Sequence, residues 1–280
     1  MHRYLINISP PKTGTTYLFN CFAETKEFNI PKLKEPKFLL EKVIYETNNL
    51  PEGLRIKSNY NRGINWYLSL FQGDVTSIKL DFTTLYNLNS KKIKNLPNSE
   101  NLYLFILRDP FERLISHYYQ YDKMGISQPR IEDIFKQKSS ISEFYRSFIN
   151  SERVLDLYKE DEILILNFDD IKNKNTKLVK YLNEKLRSKN FSFFDTNKYE
   201  RGSAKYKFIS KLIFNKWTSK MAKVLPNFLY VTAIKTRKFI IKKNTTHNKK
   251  IFKLSEDNCY FYNDLVREKI FQEKFIYRYK

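Results

Sequence analysis

Long apolar runs are missing from this 280-residue chain. No uninterrupted hydrophobic stretch approaches the roughly 20 residues that a bilayer-spanning helix needs. A mean hydropathy of −0.58 points to a soluble protein. No leader is expected either: Met1-His2-Arg3-Tyr4 passes at once into strand-like sequence, with no room for an n-region, an h-region and a cleavage site. The expectation is a cytoplasmic protein without an export signal. Cysteine is scarce, only Cys21 and Cys259, too far apart in sequence for a metal-type pair. In a reducing compartment they are expected as packing thiols, not as a disulfide. Three scattered histidines add no ligand set, so no metal is expected. Negative charge is absent over residues 201–255, where Lys and Arg recur every few positions. Residues 171–280 hold 28 Lys and Arg against 8 Asp and Glu, whereas residues 1–170 hold 23 against 22. The net charge of +21 therefore belongs to the C-terminal part, whose field attracts nucleic acid, acidic glycans or an anionic membrane surface. No recognised nucleic-acid module accompanies it, and nucleic acid is not the expected partner.

What is present is a succession of strand-like and helix-like stretches with room for one substantial core. Residues 4–8, 75–82, 102–107 and 162–168 read as strands. The run Leu102-Tyr103-Leu104-Phe105-Ile106-Leu107 is apolar throughout, as an interior parallel strand covered on both faces would be. Residues 15–23, 110–119, a weakly marked region to about 158, 178–186 and 257–280 read as helical, the last with Tyr260, Phe261, Leu265 and Phe271 inward. The alternation predicts an α/β fold: a central parallel sheet flanked by helices, with ligands at the carboxyl ends of the strands. Residues 1–200 form the catalytic core in this reading, and 201–280 a basic, mainly helical extension that packs on it within a single domain.

Two loops stand at such strand ends. Ser9-Pro10-Pro11-Lys12-Thr13-Gly14-Thr15-Thr16 follows the first strand and opens a helix, which places backbone N–H groups, a lysine and hydroxyls where the helix dipole is positive. The common nucleotide loop, Gly-x4-Gly-Lys-Ser/Thr, is not matched, because Lys12 precedes Gly14. Arg108-Asp109-Pro110 ends the third strand, with Asp109 placed to cap a helix that Pro110 begins, and with Arg113, Ser116 and His117 further along it. Asp109 reads as a cap before a catalytic acid, and His117, beside Tyr118 and Tyr119, as a packed residue before a base.

These two elements, in this order, resemble those of the sulfotransferase superfamily that uses 3′-phosphoadenosine 5′-phosphosulfate (PAPS). Lys34-Glu35-Pro36-Lys37-Phe38 and Arg62-Gly63-Ile64-Asn65-Trp66-Tyr67 look like the corresponding stretches of heparan sulfate N- and O-sulfotransferases and their bacterial carbohydrate-sulfating relatives. The resemblance covers about residues 4–171. It implies a P-loop-like sulfotransferase fold. It also implies that Lys12 meets the bridging oxygen of the donor, that Thr13, Gly14, Thr15 and Thr16 hold the 5′-phosphate, and that Arg108 and Ser116 grip the 3′-phosphate. Glu35 is implied as the general base, with Asp81 in reserve, its other reading being a turn-capping carboxylate. The family often has His two residues after that Glu; here the position is Lys37. Arg201, Gly202 and Lys205 fall where relatives have a basic loop near the nucleotide.

The implied activity is transfer of a sulfuryl group from PAPS, without metal, to a hydroxyl or amine of a carbohydrate or glycolipid acceptor. Peripheral contact with an anionic membrane at the inner face would suit the basic extension. Two other functions stay open at this point: a nucleic-acid- or membrane-binding protein working through the basic region, and a nucleotide kinase on a related scaffold. The oligomeric state and the acceptor's identity are not legible.

Overall fold

A computed structural model describes residues 2–40, 50, 54, 56, 58–72, 77–94, 96, 99–124, 126, 128–194, 203–204, 245–246 and 252–278. Five parallel strands form its centre: β1 (His2–Asn7), β2 (Phe28–Asn29), β3 (Ile78–Asp81), β4 (Ser99–Leu107) and β5 (Ile163–Asn167), in the order β2-β3-β1-β4-β5. β1 pairs with β3 through Ile6 opposite Asp81 and with β4 through Asn7 opposite Leu104; β4 pairs with β5 up to Leu107 opposite Asn167. The apolar 102–107 run is thus interior, as its composition requires.

Alternation along the strands supplies two cores. Tyr4, Ile6, Ile8, Tyr103, Phe105, Leu107, Ile163 and Ile165 point to one face. It is covered by α2 (Gly63–Leu68), α3 (Pro110–Lys123), α4 (Ile131–Lys136), α5 (Ser140–Arg146), α6 (Ser151–Leu155) and the C-terminal helix, designated α9 below. Leu5, Leu80, Leu104, Ile106, Leu164 and Leu166 point to the other, under α1 (Thr15–Glu24) and α8 (Thr176–Leu186), the latter reached through the short α7 (Phe168–Lys172). Leu18 and Phe22 of α1 and Leu182 of α8 are fully buried there; each such side chain contributes about 1.5–3 kcal/mol. α9 (Tyr262–Arg278) packs on α3 and α6, and its Leu265, with Phe261 just ahead of the helix, enters the first core.

Several boundaries differ from the sequence reading. Of the strand expected over 75–82, Ile78–Asp81 pairs, Phe82 lies past the ladder, and residues 75 and 76 fall outside the described residues. The connector over 24–33 contains β2, whose two residues are too few for a periodic signal. Tyr260 and Phe271 are only half-buried, while Glu268 and Gln272 are buried in their place. Most of 203–243, expected as two basic amphipathic segments, lies outside the described residues; Ser203–Ala204 (β6) pairs antiparallel with Thr245–Thr246 (β7). Cys21 and Cys259 are both buried free thiols. Among the described residues no helix is long and apolar enough to cross a membrane.

Candidate active site

From β1 the chain departs toward β2 on one side of the sheet, and from β4 toward β5 on the other. The carboxyl ends of these neighbouring strands therefore open a crevice where α/β sheets receive ligands. The loop after β1 is tied down before it turns. The Ile8 N–H donates to the Leu104 carbonyl and the Ile106 N–H to Ser9 Oγ, both at 2.9 Å. Asn7 Oδ1 accepts from Ser9 Oγ at 2.7 Å, and Asn7 Nδ2 donates to the Thr83 carbonyl at 3.2 Å. Pro10 and Pro11 have no N–H and end the ladder. The Thr13 hydroxyl then closes the loop on the Pro10 carbonyl at 3.0 Å. Lys12 and Gly14 both adopt left-handed backbone, at φ 72° and 85°. For Lys12 that conformation costs about 1–2 kcal/mol, a strain retained by the bonds around it. Gly14, as N-cap of α1, offers no side chain, so the first-turn N–H groups are left for solvent or an anion.

Across the crevice, Arg108 follows β4. Its guanidinium donates to the Lys12 carbonyl, lies 4.1 Å over the Phe168 ring and pairs with Glu112 at 3.4 Å. Phe168 is the first residue of α7, and a Cβ on Gly14 would come within 3.0 Å of its ring. One aromatic ring therefore spaces the two loops. Asp109 caps α3 by accepting from the Glu112 N–H at 2.9 Å, with Pro110 at the first helical position.

The inner face of α3 runs below these loops. Arg113 is buried, donates to the Phe148 carbonyl at 2.9 Å and has its pKa pushed down to about 10, by burial first. Its Nε has no hydrogen-bond partner. Ser116 is buried beyond it. His117 sits among Tyr121, Phe144, Tyr145 and Phe148; burial, then the charges of Lys12 and Arg113, hold its pKa well below the imidazole range. Tyr121, one turn further, has its pKa raised by burial and then by the charge of Glu35. This stripe thus feels Lys12 at one end and Glu35 at the other.

The third corner is the 34–39 loop. Lys34 Nζ donates to Thr16 Oγ1 at 3.1 Å and to Glu35 Oε1 at 3.4 Å, which joins the phosphate-type loop to the carboxylate. Thr84 Oγ1 also approaches Glu35 Oε1, at 3.5 Å. Burial lowers the pKa of Lys34, and Glu35 partly restores it. The loop's backbone is held from β3's exit: the Lys37 N–H donates to Thr83 Oγ1 and the Leu39 N–H to the Tyr86 hydroxyl, both at 3.1 Å. Both acceptors lead to Asp81. Its carboxylate receives the Thr83 N–H and hydroxyl at 3.1 and 2.8 Å, and the Tyr67 and Tyr86 hydroxyls at 3.0 and 2.8 Å. Desolvation outweighs those donors and raises its pKa to about 6. Asp81 is fully buried with four donors already on it, whereas Glu35 is half-buried.

A profile of the sulfotransferase domain matches residues 3–229. The chain belongs to the sulfotransferase family. No curated protein matches it. Among solved structures this sulfotransferase is similar to the sulfotransferase from Alicyclobacillus acidocaldarius, at a TM-score of 0.53 and 15% identity, over 86% of this chain and 96% of that one. The sulfotransferase domain from the curacin biosynthetic pathway aligns over 67% of this chain and 74% of its own, with 13% identity and a TM-score of 0.37. The first likeness establishes the α/β fold with its all-parallel sheet.

Of the residues singled out in its sequence, this sulfotransferase brings the Lys12–Thr16 loop, Arg108 and the Glu35 loop around one crevice. Ser116 lies on the buried face of α3, and Asp81 beneath the Glu35 loop. Arg201, Gly202 and Lys205 lie outside the described residues, although β6 between them packs on α3. Sequence reasoning missed Phe168 as the spacer, Lys34 as the link from Thr16 to Glu35, and Tyr121 in the α3 stripe. The signal for Phe168 was its place as a large ring at a strand's carboxyl end; the i, i+4, i+8 spacing of Arg113, His117 and Tyr121 marked the stripe.

Proposed function

We propose that this sulfotransferase moves a sulfuryl group from PAPS to a carbohydrate hydroxyl or amine. The observation that carries the reading is the bond from the Arg108 guanidinium to the Lys12 carbonyl. It ties a cationic strand end to an uncapped helix N-terminus across the switch point, as a donor with phosphate at both ends requires. The buried Arg113 guanidinium stands one helical turn beyond Arg108, with Glu268 3.9 Å away as its counter-charge. Family members generally draw on PAPS, which supplies an activated sulfuryl group on a good leaving phosphate.

The chain's own residues then do positioning and electrostatic work. The first-turn N–H groups of α1 hold the 5′-phosphate, and Lys12 neutralises the charge that grows on it as the sulfur–oxygen bond breaks. Arg108 with Ser116 holds the 3′-phosphate through charge-assisted bonds. Glu35 takes the acceptor's proton as the new sulfur–oxygen bond forms. Lys34, between Thr16 and Glu35, screens the transferred group. Asp81 shapes the loop from below and stays out of the proton transfer. A sugar acceptor is supported by the Lys34–Phe38 and Arg62–Tyr67 resemblance to the heparan sulfate branch, and by aromatic surface beside Glu35. There Tyr60 is exposed and stacked on Phe38, and Arg62 lies 4.9 Å over Trp66. The cytoplasmic location and the docking of the basic 201–253 segment on an anionic membrane or lipid-linked glycan are part of this proposal.

Thermal shift tests the donor. Adenosine 3′,5′-bisphosphate at about 100 times its Kd should add roughly 2.7 kcal/mol of stability without magnesium. A preference for ATP with magnesium would sink the reading in favour of a kinase. With labelled PAPS and a glycan panel read by mass spectrometry, Lys12→Ala should abolish transfer. Glu35→Gln should keep nucleotide affinity and lose turnover by about 10²–10⁴-fold. Undiminished transfer by Glu35→Gln would remove Glu35 as the base.

A further inference from the structure

Phe261, just ahead of the last helix, and Leu265, Glu268 and Gln272 within it form a buried stripe, apolar in its first half and polar in its second. The polar half meets the strand end that bears Arg108. β4's pairing with β5 ends at Leu107, so the Arg108 N–H lies beyond the ladder. Gln272 Oε1 accepts it at 3.1 Å. The same amide donates through Nε2 to Ser151 Oγ and to Glu268 Oε1, each at 3.1 Å. Only this orientation of the amide satisfies all three neighbours, since the N–H needs an acceptor and the carboxylate a donor. Glu268 is fixed in turn: it accepts from the Ser151 N–H at 3.0 Å and from the Ser151 hydroxyl, and lies 3.9 Å from Arg113. Lys269 on the adjoining face pairs with Asp109 at 3.5 Å. Three consecutive features of the 108–113 segment, an N–H, a helix cap and a buried guanidinium, are thus held by one helix remote in sequence.

We infer that α9 is part of the donor clamp, with Gln272 as a positioning residue that fixes the Arg108 backbone and so the aim of its guanidinium at the 3′-phosphate. The inference rests on the PAPS reading above. It separates Gln272 from a residue that merely packs, because its effect has to appear in the discrimination between nucleotides with and without a 3′-phosphate.

The experiment is calorimetric titration of the full chain with adenosine 3′,5′-bisphosphate and with AMP. The wild type should prefer the bisphosphate. Gln272→Leu should lower that preference at least about fivefold while AMP affinity stays within about twofold. Glu268→Gln, which keeps the helix's shape and weakens its hold on Ser151, should act in the same direction and decides the matter if Gln272→Leu does not fold. In an Arg108→Ala background Gln272→Leu should have no further effect on the preference, because residues acting through one another are not additive. Equal loss for both nucleotides, an unchanged preference, or additivity with Arg108→Ala overturns the role of α9 alone. A wild type that does not distinguish the two nucleotides overturns the PAPS reading and the role of α9 with it.

Discussion

Gly14→Ala is the sharpest probe of how the two loops are spaced. Gly14 sits at φ 85°, a backbone that costs a residue with a Cβ about 1–2 kcal/mol. The added methyl would meet Phe168 Cε2 at 3.0 Å and Cδ2 at 3.1 Å, where ordinary contact begins at 3.4 Å. The ring must therefore retreat by a few tenths of an ångström. It also supports the Arg108 guanidinium at 4.1 Å, an arrangement worth about 0.5–2 kcal/mol. Together these predict a loss of roughly 2–4 kcal/mol, or about 3–7 °C in melting midpoint for a chain of this size. The affinity for adenosine 3′,5′-bisphosphate should fall with it. Differential scanning calorimetry and nucleotide titration measure both. Phe168→Leu tests the cause: it should restore part of the stability in the Gly14→Ala background and cost stability in the wild type. Equal effects of Phe168→Leu in both backgrounds would refute the account of the ring as a spacer.

Two further outcomes follow from the third corner. The folded-state pKa of Asp81, raised to about 6 by burial, exceeds the usual 3.8, so the folded chain holds a proton that the unfolded chain has released. Its contribution is fully present below about pH 4 and is lost as pH rises through 6, by roughly 3 kcal/mol in all. Urea midpoints of the wild type minus those of Asp81→Asn should decline across that window, and a flat difference would show that Asp81 does not titrate there. Lys34→Met should cut the rate of sulfuryl transfer about tenfold or more while nucleotide affinity stays within about twofold, and Lys34→Arg should retain part of the rate. Loss of affinity without loss of rate would make Lys34 a binding residue only.

Much of the frame was legible because its signals are local. The uncharged run at 102–107 announced an interior strand, and Asp109-Pro110 announced the start of α3 through cap chemistry that depends on adjacent residues alone. The Lys12–Thr16 loop was legible for the same reason. What stayed hidden depends on contacts distant in sequence. Asp81 reads as a reserve base or a turn cap; its bond from the Thr83 N–H is the cap, while the Tyr67 and Tyr86 hydroxyls that also donate to it come from outside that turn. Glu268 and Gln272 look like the solvent side of an amphipathic helix, and hydrophobic periodicity favours Phe271 instead. Their burial is decided by Ser151, Arg113 and the end of β4. Phe168 could be assigned to a strand end, yet its job follows from Gly14 and Arg108, which approach it from two other loops.

The bond between Gln272 and Arg108 spans 164 residues, and this has a consequence for synthesis. Chains emerge N-terminus first at about 5–20 residues per second. Arg108 is therefore out about 10–30 s before the residue that steadies it, and the β1 loop earlier still. In that interval the nascent sheet can assemble with its Arg108 N–H still open to water, and that N–H gains its Gln272 acceptor only when α9 docks. With α9 in the role inferred above, translation order makes the grip on a doubly phosphorylated nucleotide a later acquisition than the sheet that carries Arg108.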